Sequence, residues 1–374
     1  MKYTTYSIVL FSSVLSFFSC TKKEHAFTDA DVFRYNESAN IQTLDPAFAR
    51  NQAIIWPCSQ LFNGLVQLND SLKVQPDIAK KWSISTDGLL YEFTIRNDVY
   101  FHKHINFGKD STRVVTAHDF EYSFKRVLSE ELASPGTWVF QNVANYKALN
   151  DSVFHIQLNK PFPAFLSLLS MKYASVVPKE ITEDPAIDFR SNPIGTGPFQ
   201  FKIWEENVKL ILRKNPNYHE KDAHGVQLPY LESVAISFLP DKQSGFMQFI
   251  QGKIDMISGL DPSYKDELLQ PNGKLQEKYQ DKIKMLSGPY LNTEYLGFNM
   301  NDPLMKDIRI RKALNLGFDR SKMVAYLRNG MGDGAVNGII PKGLQGFTAS
   351  KDVLYQPVLA KQLVNEVKAQ HKMP

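Results

Sequence analysis

Cysteine is scarce in this chain: Cys20 and Cys58 are the only two in 374 residues. At most one disulfide could form, which excludes a disulfide-stapled scaffold and leaves stability to a hydrophobic core. Long apolar runs are missing after the first twenty residues, so no membrane-spanning helix is expected there and the body of the chain reads as soluble. Blocks of lysine and arginine are missing too. The formal net charge is only +4, with acids and bases mixed, which argues against nucleic acid as a partner. Catalytic signatures are equally absent. Neither Gly-x-Ser-x-Gly nor His-Glu-x-x-His occurs, and no Ser/His/Asp set stands out among eight histidines. The glycine-rich stretches Gly195-Thr196-Gly197 and Gly330-Met331-Gly332-Asp333-Gly334 lack Walker or dinucleotide spacing and read as turns. His102 and His104 form the one close histidine pair, and no cysteine or carboxylate cluster completes it. On these grounds no metal site, no cofactor and no enzyme activity are expected.

What is present is ordinary globular composition, 43% hydrophobic and 22% charged. The length exceeds what one simple core fills, which points to two or three lobes. Aromatic residues, at 12%, fit a wide apolar core or a ligand cleft. The N-terminus has a processing pattern. Lys2 precedes an apolar stretch over 8–18, too short for a permanent span, which ends in Phe17-Phe18-Ser19-Cys20 before the polar Thr21-Lys22-Lys23-Glu24. A cysteine closing such a stretch after a small residue matches bacterial lipoprotein processing. It predicts a signal peptide over 1–19, acylation of Cys20 and a tether over 20–26 that holds the protein to a membrane surface. Cys58, beside Trp56 and Leu61, reads as a buried inert thiol.

Periodicity supplies the elements. The fold begins with a strand over 32–41, broken at Asp45-Pro46, and a helix and short strand follow over 54–68 with Gly64 between them. Tyr91, Phe93 and Ile95 alternate with polar residues as a half-buried strand entered from an Asp87-Gly88 turn. Residues 116–128 read as a helix capped by Thr116 with Asp119 in capping-box register, and Phe120, Phe124, Val127 and Leu128 as its apolar stripe. Phe154, Ile156 and Leu158 form another strand, and a short helix is expected over 164–171. Further strands are expected at 199–201, 208–212, 234–238, 254–257 and 296–300. Helices are expected over 243–252, 307–316, 321–327 and 359–367, and this alternation argues for an α/β fold. Trp138 and Phe140, in a loop opened by Ser134-Pro135-Gly136, are candidate ligand contacts, or else caps on a core. Asn299, between Phe298 and Met300, is a third candidate.

Several segments together resemble one family, the periplasmic solute-binding proteins of oligopeptide, dipeptide and nickel ABC importers (solute-binding family 5). They are Leu44-Asp45-Pro46; Leu61-Phe62-Asn63-Gly64-Leu65-Val66; Pro76-Asp77-Ile78-Ala79 with Trp82; Ser85-Thr86-Asp87-Gly88; Val99-Tyr100-Phe101-His102; Thr116-Ala117-His118-Asp119-Phe120 leading to Arg126; Pro193 through Phe199; Asn215-Pro216-Asn217-Tyr218; Gly252-Lys253-Ile254-Asp255; Phe298-Asn299; and Arg309 through Leu314 with Phe318-Asp319-Arg320. The resemblance implies an α/β two-lobed periplasmic-binding-protein clamp, type II-like, with an extra small β-rich lobe. Lobe one would take 27–50 and 190–285, the small lobe 51–189, and lobe two would start at 286. It implies a monomeric, non-enzymatic lipoprotein of the periplasm or cell envelope. This protein would capture a peptide between lobes and deliver it to ABC permease subunits. A receptor for a nickel chelate or other small solute is the alternative within the family, and an exported hydrolase the alternative outside it. Family members continue past the helix at 359–367, and in peptide binders an acidic residue pairing with the ligand's amino terminus lies in that later part. The second lobe of this chain is therefore expected to be incomplete.

Overall fold

The computed structural model describes residues 31–288, 291–328, 330, 332–334, 338–344, 346–348 and 355–371. They fall into two compact units that divide between Phe238 and Leu239. Cys20 and the leader and tether around it lie outside the described residues.

In chain order the first unit comprises β1 (Val32–Asn36), α1 (Gln52–Leu61), β2 (Val66–Leu68), β3 (Val74–Pro76), β4 (Ala79–Ile84), β5 (Leu90–Ile95), α2 (Ala117–Val127), β6 (Val143–Asn150), β7 (Val153–Leu158), α3 (Phe165–Leu168), α4 (Lys179–Thr182), β8 (Phe199–Glu205), β9 (Lys209–Lys214) and β10 (Ser233–Ser237). One sheet has the order β1-β10-β9-β8, and β1 runs parallel to β10 with Tyr35 opposite Ile236. A second has the order β4-β5-β7-β6 with antiparallel neighbours, and β2 pairs with β3 alone. The chain thus lays one strand of the first sheet, leaves to build the second, and returns more than 150 residues later to finish the first.

The second sheet forms as its alternation predicts. Tyr91, Phe93 and Ile95 are buried on one face of β5, and Phe154, Ile156 and Leu158 on the same face of β7. Helix α2 covers that face. Its start is held by the Asp119 carboxylate, which accepts the Thr116 backbone N–H at 2.8 Å and satisfies one of the donors a helix start leaves open. The rings of Phe120 and Phe124 then meet Phe154 at 6.0 and 5.4 Å. Each buried ring removes apolar area worth about 1.5–3 kcal/mol. Leu128 leaves the stripe. It is the C-cap of α2 and stands 37% exposed, because the helix ends at the margin of the core. The helix expected over 164–171 shortens to the single turn of α3.

The second unit holds α5 (Lys242–Ile250), α6 (Lys265–Leu268), α7 (Pro303–Lys306), α8 (Ile308–Leu316), α9 (Arg320–Leu327) and α10 (Pro357–His371). Asp241 caps α5 by accepting the Ser244 N–H at 2.8 Å. Phe246 stacks on Tyr264 at 4.6 Å in a small cluster with Leu268, Leu269 and Tyr279. Asp307 caps α8, and α8 packs on α10 around Ile310, Ala313 and Ala360. Two expected strands are not there. Residues 254–257 hold only an isolated bridge at Met256, and 296–300 are irregular. Leu296, Phe298 and Met300 all stand exposed, so their alternation marks no buried face. Among the described residues no helix is long and apolar enough to cross a membrane.

Candidate functional site

The polar residues of the first unit converge on a recess of about 390 Å³ beside the end of α1, lined by Gln60, Asn63, Asp77, Lys172 and Tyr218 among others. Asn63 sits where α1 gives way to β2 and is 5% exposed. Its amide nitrogen donates to both oxygens of Asp77 at 3.1 Å. Its amide oxygen accepts from the hydroxyl of Thr196 at 3.0 Å. The Gly64 N–H adds a third donor to Asp77 at 3.2 Å. Buried polar groups need such partners, since an unsatisfied one costs about 1–3 kcal/mol. Lys172 donates from Nζ to the Phe62 carbonyl at 3.3 Å. Burial pulls its ammonium below the ordinary lysine range, and the Asp77 carboxylate acts against that pull. Burial also raises the Tyr218 phenol, and it raises the fully enclosed Cys58 thiol, which donates weakly to the Leu44 carbonyl.

The two glycines of the Pro193 to Phe199 segment do not serve a left-handed turn. A Cβ on Gly195 would lie 2.0 Å from the Leu61 carbonyl oxygen, and one on Gly197 would lie 2.4 Å from that of Gln60. They let this segment cross the end of α1 at backbone contact, where the Gly197 N–H donates to the Leu61 carbonyl at 2.9 Å. Asn215 closes the same knot by donating to the Gly197 carbonyl at 2.9 Å.

His102 belongs to this knot and not to a metal pair with His104. The Gly195 N–H donates to its Nδ1 at 3.2 Å, so Nε2 carries the proton and donates to the Gly197 carbonyl at 3.0 Å. His104 instead accepts from the Asn106 N–H. Burial lowers the His102 pKa from 6.5 to about 4, against the hydrogen bond to Gly197. In the unfolded chain the ring titrates near 6.5. Between those values the unfolded chain binds the extra proton, so stability rises with pH. His102 is expected to contribute fully above about pH 6.5 and to lose about 3 kcal/mol by pH 4. Urea unfolding from pH 4.5 to 7.5 should show His102→Gln with a shallower pH slope than the parent. Equal slopes would remove His102 as the source.

The three residues expected at a ligand behave differently. Trp138 is 44% exposed on a short 3-10 helix, Thr137–Phe140. The loop before it is pinned by the Ser134 hydroxyl, which donates to the Ala47 carbonyl at 2.5 Å. Phe140 is a correction: it is 2% exposed and packs 4.6 Å from Phe124, so it is a core residue and presents no surface to a solute. Asn299, in the second unit, is exposed, and its side chain accepts from the Asn301 N–H. The Asn63–Asp77–Thr196 network escaped the sequence reading as a site. Its members were visible only as separate short motifs.

The model for bacterial extracellular solute-binding proteins, family 5, matches residues 73–373. The chain is 28% identical over 326 residues to heme-binding protein A of Haemophilus influenzae, covering 82% of this chain and 56% of that protein. It is 26% identical over 327 residues to the dipeptide-binding protein of Escherichia coli, covering 82% of this chain and 57% of that one. It therefore spans a little over half the length of these curated relatives. The fold matches the Helicobacter pylori periplasmic binding protein DppA in complex with the peptide STSA at a TM-score of 0.72 and 23% identity, covering 90% of this chain and 66% of that one. It matches NikZ of Campylobacter jejuni in complex with Ni(L-His) at a TM-score of 0.69 and 24% identity, covering 90% and 63%. A family match over this span, joined to an α/β fold shared with periplasmic binding proteins, places the chain plainly: it belongs to family 5 of the bacterial extracellular solute-binding proteins.

Proposed function

We propose that this chain is the solute-capturing component of an ABC importer. It takes up a peptide between two lobes and hands it to a membrane permease without bond chemistry. The observation that carries the reading is the family match over residues 73–373. The peptide in the complex of a relative that shares the fold supports the choice of solute. Lobe one would take 27–50 and 190–285, the small lobe 51–189, and lobe two would start at 286. The departure of the chain from the first sheet after β1 and its return at β8 support the split of lobe one around the small lobe, whereas the division after Phe238 sets 239–285 apart from that sheet. Capture would follow from a closed form that binds solute better than the open one. Acylation at Cys20 would hold the exported, monomeric protein to the membrane. Trp138 and Asn299, both exposed on described segments, are the proposed solute contacts.

Thermal unfolding with a panel of di- to pentapeptides tests this. A peptide at a hundredfold excess over its Kd is expected to add about 2.7 kcal/mol of stability. That gain should shrink in Trp138→Ala while the ligand-free midpoint stays put. A shift with nickel–histidine but with no peptide would replace peptides by a metal chelate, which the fold shared with NikZ also supports. Peptide cleavage would sink the reading altogether.

A further inference from the structure

Among the described residues, Asp77, His219 and Glu220 bring three metal-ligating side chains together, with one ligand atom of each within 4.8 Å of the others. Asp77 comes from the link between β3 and β4, and the other two from the segment after β9. Two details separate this cluster from an ordinary ion pair. The Asp77 and His219 side chains are each only 2% exposed, so both are largely withdrawn from bulk water. The imidazole is also poorly satisfied. Its Nδ1 has no hydrogen-bond partner, and its Nε2 stands 3.5 Å from Asp77 Oδ1, past the range of about 2.7–3.2 Å for an N–H···O bond. Metal–ligand bonds of about 2.0–2.1 Å in tetrahedral geometry set the ligand atoms about 3.3 Å apart. The His219–Asp77 spacing is therefore long for a hydrogen bond and right for two ligands of one cation.

The surroundings orient the carboxylates for that role. Asn63 and the Gly64 N–H hold Asp77, as described above, and Gln67 Nε2 donates to Glu220 Oε1 at 2.7 Å. Two cations lie near enough to feel the cluster's charge, but neither is hydrogen-bonded to it: Arg96 forks onto Asp98 at 2.7 and 2.8 Å, and Lys172 donates to the Phe62 carbonyl. We propose that Asp77, His219 and Glu220 bind one divalent cation of the zinc class, which accepts mixed imidazole and carboxylate ligands, with water completing its coordination. The ion ties the start of β4 in one sheet to the segment leaving β9 in the other, so it staples the two sheets of the first unit. The site does not depend on what solute the protein carries.

The test is zinc binding by the purified protein, free of any histidine tag. The protein is first stripped with chelator and then titrated with Zn²⁺, with metal content and thermal midpoint as readouts. One zinc per chain and a raised midpoint are expected. His219→Ala and Glu220→Gln should each lose the stoichiometric zinc, and Gln67→Ala should bind about 10- to 100-fold more weakly. If His219→Ala fails to fold, the nearly isosteric Glu220→Gln decides alone. No zinc at saturation, or undiminished zinc in Glu220→Gln, overturns the proposal.

Discussion

Replacing Gly195 with alanine is expected to cost about 4 kcal/mol or more of stability, beyond the usual cost of overpacking. The added Cβ would lie 2.0 Å from the Leu61 carbonyl oxygen and 2.6 Å from Cδ1 of Phe62. The ring could turn aside, but the carbonyl is backbone at the end of α1 and cannot yield without moving the helix. Relief by shifting the other strand of the crossing is also blocked. The Gly195 carbonyl accepts the His102 N–H at 2.7 Å, and the Gly197 N–H binds Leu61 at 2.9 Å. Gly197→Ala should behave alike, meeting Gln60 O at 2.4 Å. Gly288 is the control, since a Cβ there meets nothing within 4 Å and Gly288→Ala should stay within about 0.5 kcal/mol of the parent. Equilibrium urea unfolding of the three variants reads the difference. Equal stability of Gly195→Ala and Gly288→Ala would mean that the crossing is not closely packed in solution.

That pair of glycines shows where the sequence is legible and where it is not. Alternation fixes which face of a strand is buried, so β5 and β7 could be read residue by residue. Local chemistry fixes a helix start, so Asp119 marked α2. The same local rules took the glycines for a turn, because a close approach by a segment far away in sequence leaves no local trace. Trp138 and Phe140 illustrate the limit at finer scale. They stand two apart on a 3-10 helix, where three residues make a turn, so they cannot share a face; one is exposed and the other is core. At 296–300 the alternation was real, but a strand needs a partner and a covered face, and the described residues supply neither. Four of the short motifs were legible as a family pattern before any role could be given them. The structure gathers Leu61 through Val66, Pro76 through Ala79, Pro193 through Phe199 and Asn215 through Tyr218 into one buried polar knot. These segments therefore belong to the scaffold of the first unit, and the spacing among Asn63, Asp77 and Thr196 could not have been deduced from any of them alone.

Asp45, from Leu44-Asp45-Pro46, and Arg126, from the end of α2, form a two-pronged ion pair at 2.6 and 3.1 Å. Their side chains are only 6% and 14% exposed. The guanidinium also lies over the Phe189 ring at 5.4 Å, and Asp45 Oδ1 accepts the Ala47 N–H at 3.0 Å. A pair this enclosed has lost most of its hydration, so what matters is the charge left behind when one partner goes. Arg126→Leu strands a carboxylate in the core margin and is expected to cost about 3–5 kcal/mol. Arg126→Lys keeps the charge but not the planar fork and should cost less. The decisive comparison is the double variant Asp45→Asn with Arg126→Leu. Removing the stranded charge should return much of the loss, so the double variant is expected to be more stable than Arg126→Leu alone. Urea unfolding of the parent, Asp45→Asn, Arg126→Leu and the double variant gives the coupling directly. A loss below about 1 kcal/mol for Arg126→Leu, the size expected of a solvent-exposed pair, would show that water reaches Asp45 and that this contact does not lock α2 to the segment before α1.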